Sequence, residues 1–319
     1  MLPTVLPPDR CCCPKRCRRH ACCRLFACCR LALRCRFLIL GLVFAATLAA
    51  QAQQTKETIK FQLRDGYLMV VDAKVNGAGP FRFLVDTGTT RTVIDPDLAN
   101  QLQLPTVGRV NVTTVLHYRQ DKLVRLQGVQ LGQASVSDLG AMVDKLTRQK
   151  MLAPGIRGVL GEDFLSRFDL LIDYKKHFIQ LGASPPAGER CRFEAIGEYQ
   201  GAPTTNRLLI GVEFMEVSGN KVQLQLDTGA RTPELFPGSH DSRPTPPWGS
   251  SMATSSGANG VIVHSNITLK IGATTIRGQD VVQSRRAVAF DAAGLLPAAI
   301  FHRIYISHSG GFVVLNPVL

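Results

Sequence analysis

Short stretches of alternating apolar and polar residues dominate positions 58–316, and the alternation occurs in two matching halves. Tyr67 to Val75 alternates, breaks at Asn76-Gly77-Ala78-Gly79-Pro80 and resumes as Phe81 to Val85; Leu208 to Val217 breaks at Ser218-Gly219-Asn220 and resumes as Lys221 to Leu226. A period of two bounded by Gly, Pro and Asn predicts strand, tight turn, strand in each half. Both units run into one tripeptide, Asp86-Thr87-Gly88 and Asp227-Thr228-Gly229. Further on, Val129 to Val136 is echoed by Leu269 to Ile276, and Gly158-Val159-Leu160-Gly161 by Gly294-Leu295-Leu296-Pro297. The offsets of 141, 140 and 136 residues, in one order, predict two copies of a single lobe.

The remaining pattern completes an all-β expectation. Gly and Pro turns recur too often for long helical periods, so helix is confined to short pieces near Pro96 to Leu102 and Glu162 to Arg167. Ala183-Ser184-Pro185-Pro186-Ala187-Gly188 reads as a linker, giving lobes at 53–182 and 193–319 joined by 183–192. Asp173-Tyr174-Lys175-Lys176 reads as a strand end with a solvated basic turn. His308, between Ser307 and Ser309, reads as part of the turn at Ser309-Gly310-Gly311.

A carboxylate delivered twice by one device predicts a paired-carboxylate site. Two carboxylates at hydrogen-bond distance cannot both ionise cheaply, so they share a proton, one serving as base and the other as acid. Glycine after each Asp-Thr lets the loop turn sharply and bring N–H groups toward the carboxylates. Thr89 can donate a hydroxyl to Asp86, whereas Ala230 cannot do so for Asp227, which predicts that Asp86 is the more readily ionised partner. The Leu160-Gly161 and Leu296-Pro297 segments read as packing beneath these loops.

With these motifs, residues 58–316 resemble the retropepsin-like and pepsin-like aspartic proteases, most closely the bacterial retropepsin-like members. Leu84-Val85-Asp86-Thr87-Gly88-Thr89 with Val159-Leu160-Gly161 matches the family pattern in the first half. The second half departs at Pro297, where the pattern has Gly, at Pro233-Glu234, within an expected apolar strand, and at Ala230, in place of a hydroxyl residue. The resemblance implies two β-barrel lobes forming a single-chain pseudo-dimer around a central cleft. It implies Asp86 and Asp227 as catalytic residues, with Thr87, Gly88, Thr89, Thr228 and Gly229 supporting the loops and Thr87 and Thr228 bonding across a pseudo-twofold axis. It also implies a hairpin over substrate in each lobe, with candidates at Val110 to Lys122, containing His117 and Tyr118, and at Gly249 to Val263. The expected activity is aspartic endopeptidase, with no metal, no cofactor and a peptide or unfolded protein as substrate. The alternatives are a peptide-binding pseudoprotease whose second lobe has drifted, or a protease active only as a homodimer through lobe one.

Other chemistries lack their residues: there is no Gly-x-Ser-x-Gly elbow, His-Glu-x-x-His, phosphate-cradling loop or Cys-x-x-Cys in the body of the chain. Phe37 to Ala50 is an apolar run after Arg34 and Arg36, followed by Ala50-Gln51-Ala52. It reads as a signal peptide over residues 1–52, with cleavage before Gln53 and export to the periplasm or outside the cell; an uncleaved membrane anchor is the alternative. Nine of the ten Cys precede that run among arginines, without zinc-finger spacing, so only Cys191 would remain and no intramolecular disulfide is expected. Removing residues 1–52 lowers the formal charge from +13 to +5. With no basic stripe interleaved with aromatics, nucleic-acid binding is not expected. The remaining chain of roughly 265 residues is long enough to be held by its core as a monomer.

Overall fold

The computed structural model describes residues 57–113, 118–145, 155–194, 198–199, 202–203, 207–216, 221–236, 261–284 and 292–316. All of them belong to one compact unit, Gln54–Leu319.

The two halves build the same ring of six strands. In lobe one, Leu68–Val75 pairs with Ala78–Val85, which runs parallel to Ile156–Leu160. The ring continues through Val93–Ile94, Ala134–Val143 and Tyr118–Leu131, and closes where Tyr118–Leu131 pairs back onto Leu68–Val75. In lobe two the corresponding circuit is Leu209–Phe214, Lys221–Asp227, Gly294–Pro297, Glu234–Leu235, Thr274–Ser284 and Val261–Ile271, a closed barrel. Each parallel or antiparallel pairing in one ring has its counterpart in the other. Lobe one also carries Gln62–Arg64 and Thr106–Thr113 as flanking strands.

Period-two patterning decides which side chains fill each barrel. Met69, Val71, Ala73 and Val75 face inward with Phe83 and Val85, while Val70 and Leu84 face out and join a separate apolar cluster. The hairpins that echo one another turn at Gly132 and Gly272, with φ of 63° and 58°, a left-handed conformation that glycine adopts without strain. The break expected over Asn76 to Pro80 is narrower than its composition suggests. Only Asn76-Gly77 turns, and Ala78 to Pro80 begin the next strand, where a register shift between Ala73 and Val75 accommodates a proline with no N–H to give. Among the described residues helices are limited to Pro96–Gln101, capped by the Asp95 side chain on the Asp97 N–H, and Glu162–Leu165, with a 3-10 turn at Ala298–Ile300.

A third sheet joins the lobes. Its order is Glu57–Lys60, Phe178–Leu181, Leu170–Asp173, Arg303–Ser307, Phe312–Leu315 and Cys191–Arg192, with three strands on either side of its centre. The central pairing sets Leu171 opposite Tyr305. On one flank Arg303 donates to buried Asp173 at 2.7 Å, and on the other Asp169 accepts from the Ser307 hydroxyl at 3.2 Å. Residues 174–177 form the turn expected after Asp173, with Lys175 and Lys176 exposed, and residues 308–311 form the turn expected at Ser309 to Gly311.

Candidate active site

The Asp86 and Asp227 loops leave equivalent strands and meet at the lobe boundary. Asp86 follows Ala78–Val85, and its N–H donates to the Leu160 carbonyl at 3.0 Å; Asp227 ends Lys221–Asp227 in register with Pro297. Pro297 thus takes the place of Gly161. In lobe one a side chain at 161 would meet the Arg91 and Thr89 backbone at 2.7–2.9 Å, so only glycine fits there. Glu234-Leu235, after Pro233, still forms its strand, between Val282-Gln283 and Gly294-Leu295, and the Pro233 carbonyl accepts from the Val282 N–H at 2.8 Å.

Four crossed hydrogen bonds fasten the loops together. The Thr87 hydroxyl donates to the Leu226 carbonyl at 2.9 Å and accepts the Thr228 N–H at 3.1 Å. The Thr228 hydroxyl donates to the Val85 carbonyl at 2.9 Å and accepts the Thr87 N–H at 3.0 Å. Both threonines are fully buried, so each bond lies where water cannot replace it. The glycines interleave with the opposite acids: a Cβ on Gly88 would lie 2.4 Å from Asp227 Oδ2, and one on Gly229 would lie 2.9 Å from Asp86 Oδ1.

The two carboxyls have unequal surroundings. Asp86 accepts from the Gly88 N–H at 2.8 Å and from the Thr89 hydroxyl at 2.7 Å. Asp227 accepts from the Gly229 N–H at 2.6 Å and from the Ala230 backbone, with no hydroxyl donor in the position of Thr89. Burial and the facing Asp86 hold Asp227 well above the usual carboxylate range, against the pull of those two N–H groups. Burial beside Asp86 thus favours the protonated form of Asp227, and the hydroxyl inequality expected from Thr89 and Ala230 is present in the structure. Nearby, burial raises the Tyr174 phenol, with both carboxylates adding to the shift; burial also raises Tyr67, which feels Asp65, Arg231 and Asp227.

Two features here were not anticipated from sequence. Gln225, fully buried, extends from lobe two and donates its amide to the Gly88 carbonyl at 3.0 Å and the Thr87 carbonyl at 3.4 Å, while its Oε1 has no partner among the described residues. The sequence signal was its position two residues before Asp227, where lobe one has Leu84. His308 is more than a turn residue: its Nε2 bonds Glu162 Oε2 at 3.0 Å and its Nδ1 bonds the Phe168 carbonyl at 2.7 Å, across the lobe boundary. No local pattern marks a pair separated by 146 positions.

The expected lobe-one hairpin exists as Thr106–Thr113 against Tyr118–Leu131, although His117 lies outside the described residues. Of the lobe-two candidate only 261–263 are described, as the start of Val261–Ile271; residues 249–260 lie outside. Cys191 is a free thiol.

Residues 71–167, essentially lobe one, match the sequence profile of the family described as gag-polyprotein putative aspartyl protease. Among solved structures, the aspartic proteinase from Irpex lacteus is similar in fold, with a TM-score of 0.54 at 12% identity, over 82% of this chain and 98% of that one. No curated protein sequence matches the chain. In sequence lobe one is thus similar to a retropepsin-like aspartyl protease, and in fold both lobes together are similar to a two-lobed aspartic proteinase, so both findings support the aspartic protease clan.

Proposed function

We propose that the protein is an exported aspartic endopeptidase in which Asp86 and Asp227 form one catalytic dyad within a single chain. The observation that carries this reading is the crossed Thr87 and Thr228 bonding, which fixes two carboxyls from different lobes beside each other. In this mechanism Asp86, held by two donors, is the base that takes a proton from water as the water attacks the scissile carbonyl. Asp227, desolvated and protonated, donates to the carbonyl oxygen. The tetrahedral intermediate then collapses as the proton gained by Asp86 passes to the leaving amine and the proton on Asp227 is restored from the intermediate. Thr87, Gly88, Thr89, Thr228 and Gly229 position the acids. The hairpin Thr106–Thr113 with Tyr118–Leu131 closes over a peptide or unfolded-protein substrate. Export is supported by the apolar run Phe37 to Ala50, and a monomer by the presence of both acids in one chain.

The test is incubation with a diverse peptide mixture from pH 3 to 7, read by mass spectrometry beside Asp86→Asn and Asp227→Asn. Loss of cleavage in both variants, with the wild type monomeric by light scattering, is the expected result. Cleavage surviving Asp227→Asn would remove lobe two from the dyad. A folded wild type that binds peptides and cuts none would remove the peptidase assignment.

A further inference from the structure

Lobe symmetry exposes a difference between the two walls beside the dyad. On the outer face of the lobe-one barrel, register aligns Val70, Leu84, Val159, Val93 and Met142 in one cross-strand row, all apolar. The equivalent row in lobe two is Leu209, Gln225, Leu295, Glu234 and Val282. These rows face the opposite lobe: Gln225 reaches the Thr87 and Gly88 carbonyls, and Ala299 of lobe two packs against the lobe-one row. Two apolar positions have therefore become an amide and a carboxylate on one wall only. Gln225 is engaged in holding the Asp86 loop. Glu234 is not so engaged: its carboxylate is bonded by the Ser284 hydroxyl, and no cation pairs with it among the described residues.

We propose that Glu234 is a specificity-determining residue, forming a subsite for a cationic side chain, lysine or arginine, in a peptide whose neighbouring apolar side chain lies on the lobe-one row. The inference rests on the peptidase reading for its substrate class. A half-buried carboxylate whose one partner among the described residues is the Ser284 hydroxyl is costly in the free protein, and burial raises its proton affinity against that bond. A substrate ammonium or guanidinium supplies an opposite charge that no described residue brings to it. A norleucine in its place leaves the carboxylate unpaired, so discrimination comes from both attraction and penalty. Ser284 orients the carboxylate and cannot replace the cation.

The experiment uses octapeptides with a reduced, uncleavable central amide, phenylalanine on one side of it, and lysine or norleucine scanned through the remaining positions. Binding is measured by fluorescence anisotropy at pH 6. At one position the wild type should bind the lysine peptide roughly tenfold or more tightly than the norleucine peptide, the range of a charge-assisted contact. Glu234→Val, which installs the lobe-one residue, should abolish or invert that ratio, and Glu234→Gln should reduce it severalfold; Glu234→Gln decides the matter if Glu234→Val fails to fold. A wild-type ratio near one at every position, or a ratio that survives both substitutions, overturns the proposal. Because binding is read without turnover, the two assignments fail separately. Lysine preference without cleavage of ordinary peptides keeps the subsite and removes the peptidase, whereas cleavage indifferent to lysine and arginine keeps the peptidase and removes the subsite.

Discussion

Removing the His308 imidazole should destabilise the protein far more at pH 7 than at pH 4. The side chains of His308 and Glu162 are 3% and 1% exposed, bonded at 3.0 Å, and Glu162 Oε1 has no partner among the described residues. Asp86 and Asp163 also bear on Glu162, and Asp169 on His308, all acidic. Burial alone would lower His308, but the bond and charge of Glu162 outweigh it and hold it above its ordinary 6.5; burial raises Glu162 above its ordinary 4.5 despite His308. Both folded values are raised, so the pair's contribution is complete below pH 4.5 for Glu162 and below 6.5 for His308. That stability is lost as pH rises through the raised values, and because His308 itself pulls Glu162 down, removing His308 raises Glu162 further and makes the variant lose more stability than the wild type on the way to pH 7. In His308→Gln, Glu162 must stay neutral to remain buried. From its ordinary 4.5 that costs at most about 3.4 kcal/mol at pH 7, at 1.36 kcal/mol per unit and less the part the wild type already bears for its own raised Glu162, and almost nothing at pH 4. Only a hydrogen bond, about 1 kcal/mol, is then lost at pH 4. For a domain of this size the melting temperature should fall by up to roughly 7–14 °C at pH 7 and by roughly 2–4 °C at pH 4. Glu162→Gln, which leaves a neutral imidazole with an amide partner, should cost less at pH 7 and should suppress His308→Gln in the double variant. Scanning calorimetry at both pH values checks this, and an equal drop at pH 4 and pH 7 would refute the reasoning.

Thr89→Ala removes the 2.7 Å donor to Asp86 Oδ2, so kcat/KM should fall on the order of fivefold, the worth of about one hydrogen bond, while the fold is unchanged by circular dichroism. Gly88→Ala places a methyl within 2.4–2.6 Å of the Asp227 carboxyl, and Gly229→Ala places one 2.9–3.0 Å from that of Asp86; kcat should fall on the order of 10²-fold in the first, and less in the second. Gln225→Leu, which restores the lobe-one pattern, strands two carbonyls and should cost roughly 1–3 kcal/mol in urea denaturation, with a lower kcat and little change in KM. Arg303→Leu should destabilise strongly at neutral pH and less near pH 2. The Lys176 N–H and Arg303 overcome burial to hold Asp173 below its ordinary 3.8, and that contribution disappears as pH falls through the depressed value.

What the chain revealed in advance was the part of its physics that repeats. Alternation with a period of two, interrupted by Gly and Asn, marked the ring strands, because a half-buried strand must alternate and a tight turn must tolerate unusual backbone angles. Duplication of Asp-Thr-Gly brought Asp86 and Asp227 together on paper, because two copies of one lobe must present the same loop at the same place. Pro297 and Pro233 resembled damage because their tolerance depends on partners in other strands: Pro297 replaces a glycine that lobe one needs only because Arg91 and Thr89 approach it there. Contacts made once, between elements far apart, leave no periodic trace, and His308 with Glu162 is of this kind. Gln225 and Glu234 lie between these cases. Each departs from an apolar counterpart, Leu84 and Val93, at a position fixed by the repeat, and strand parity turns each out of its own barrel toward the opposite lobe. A polar residue in that place adds nothing to either core, so its effect must fall on the neighbouring lobe or on whatever lies between them. Gln225 acts on the neighbouring lobe through the carbonyls of Thr87 and Gly88, whereas Glu234 is bonded only by Ser284 of its own lobe among the described residues, which is why the proposed subsite falls on it.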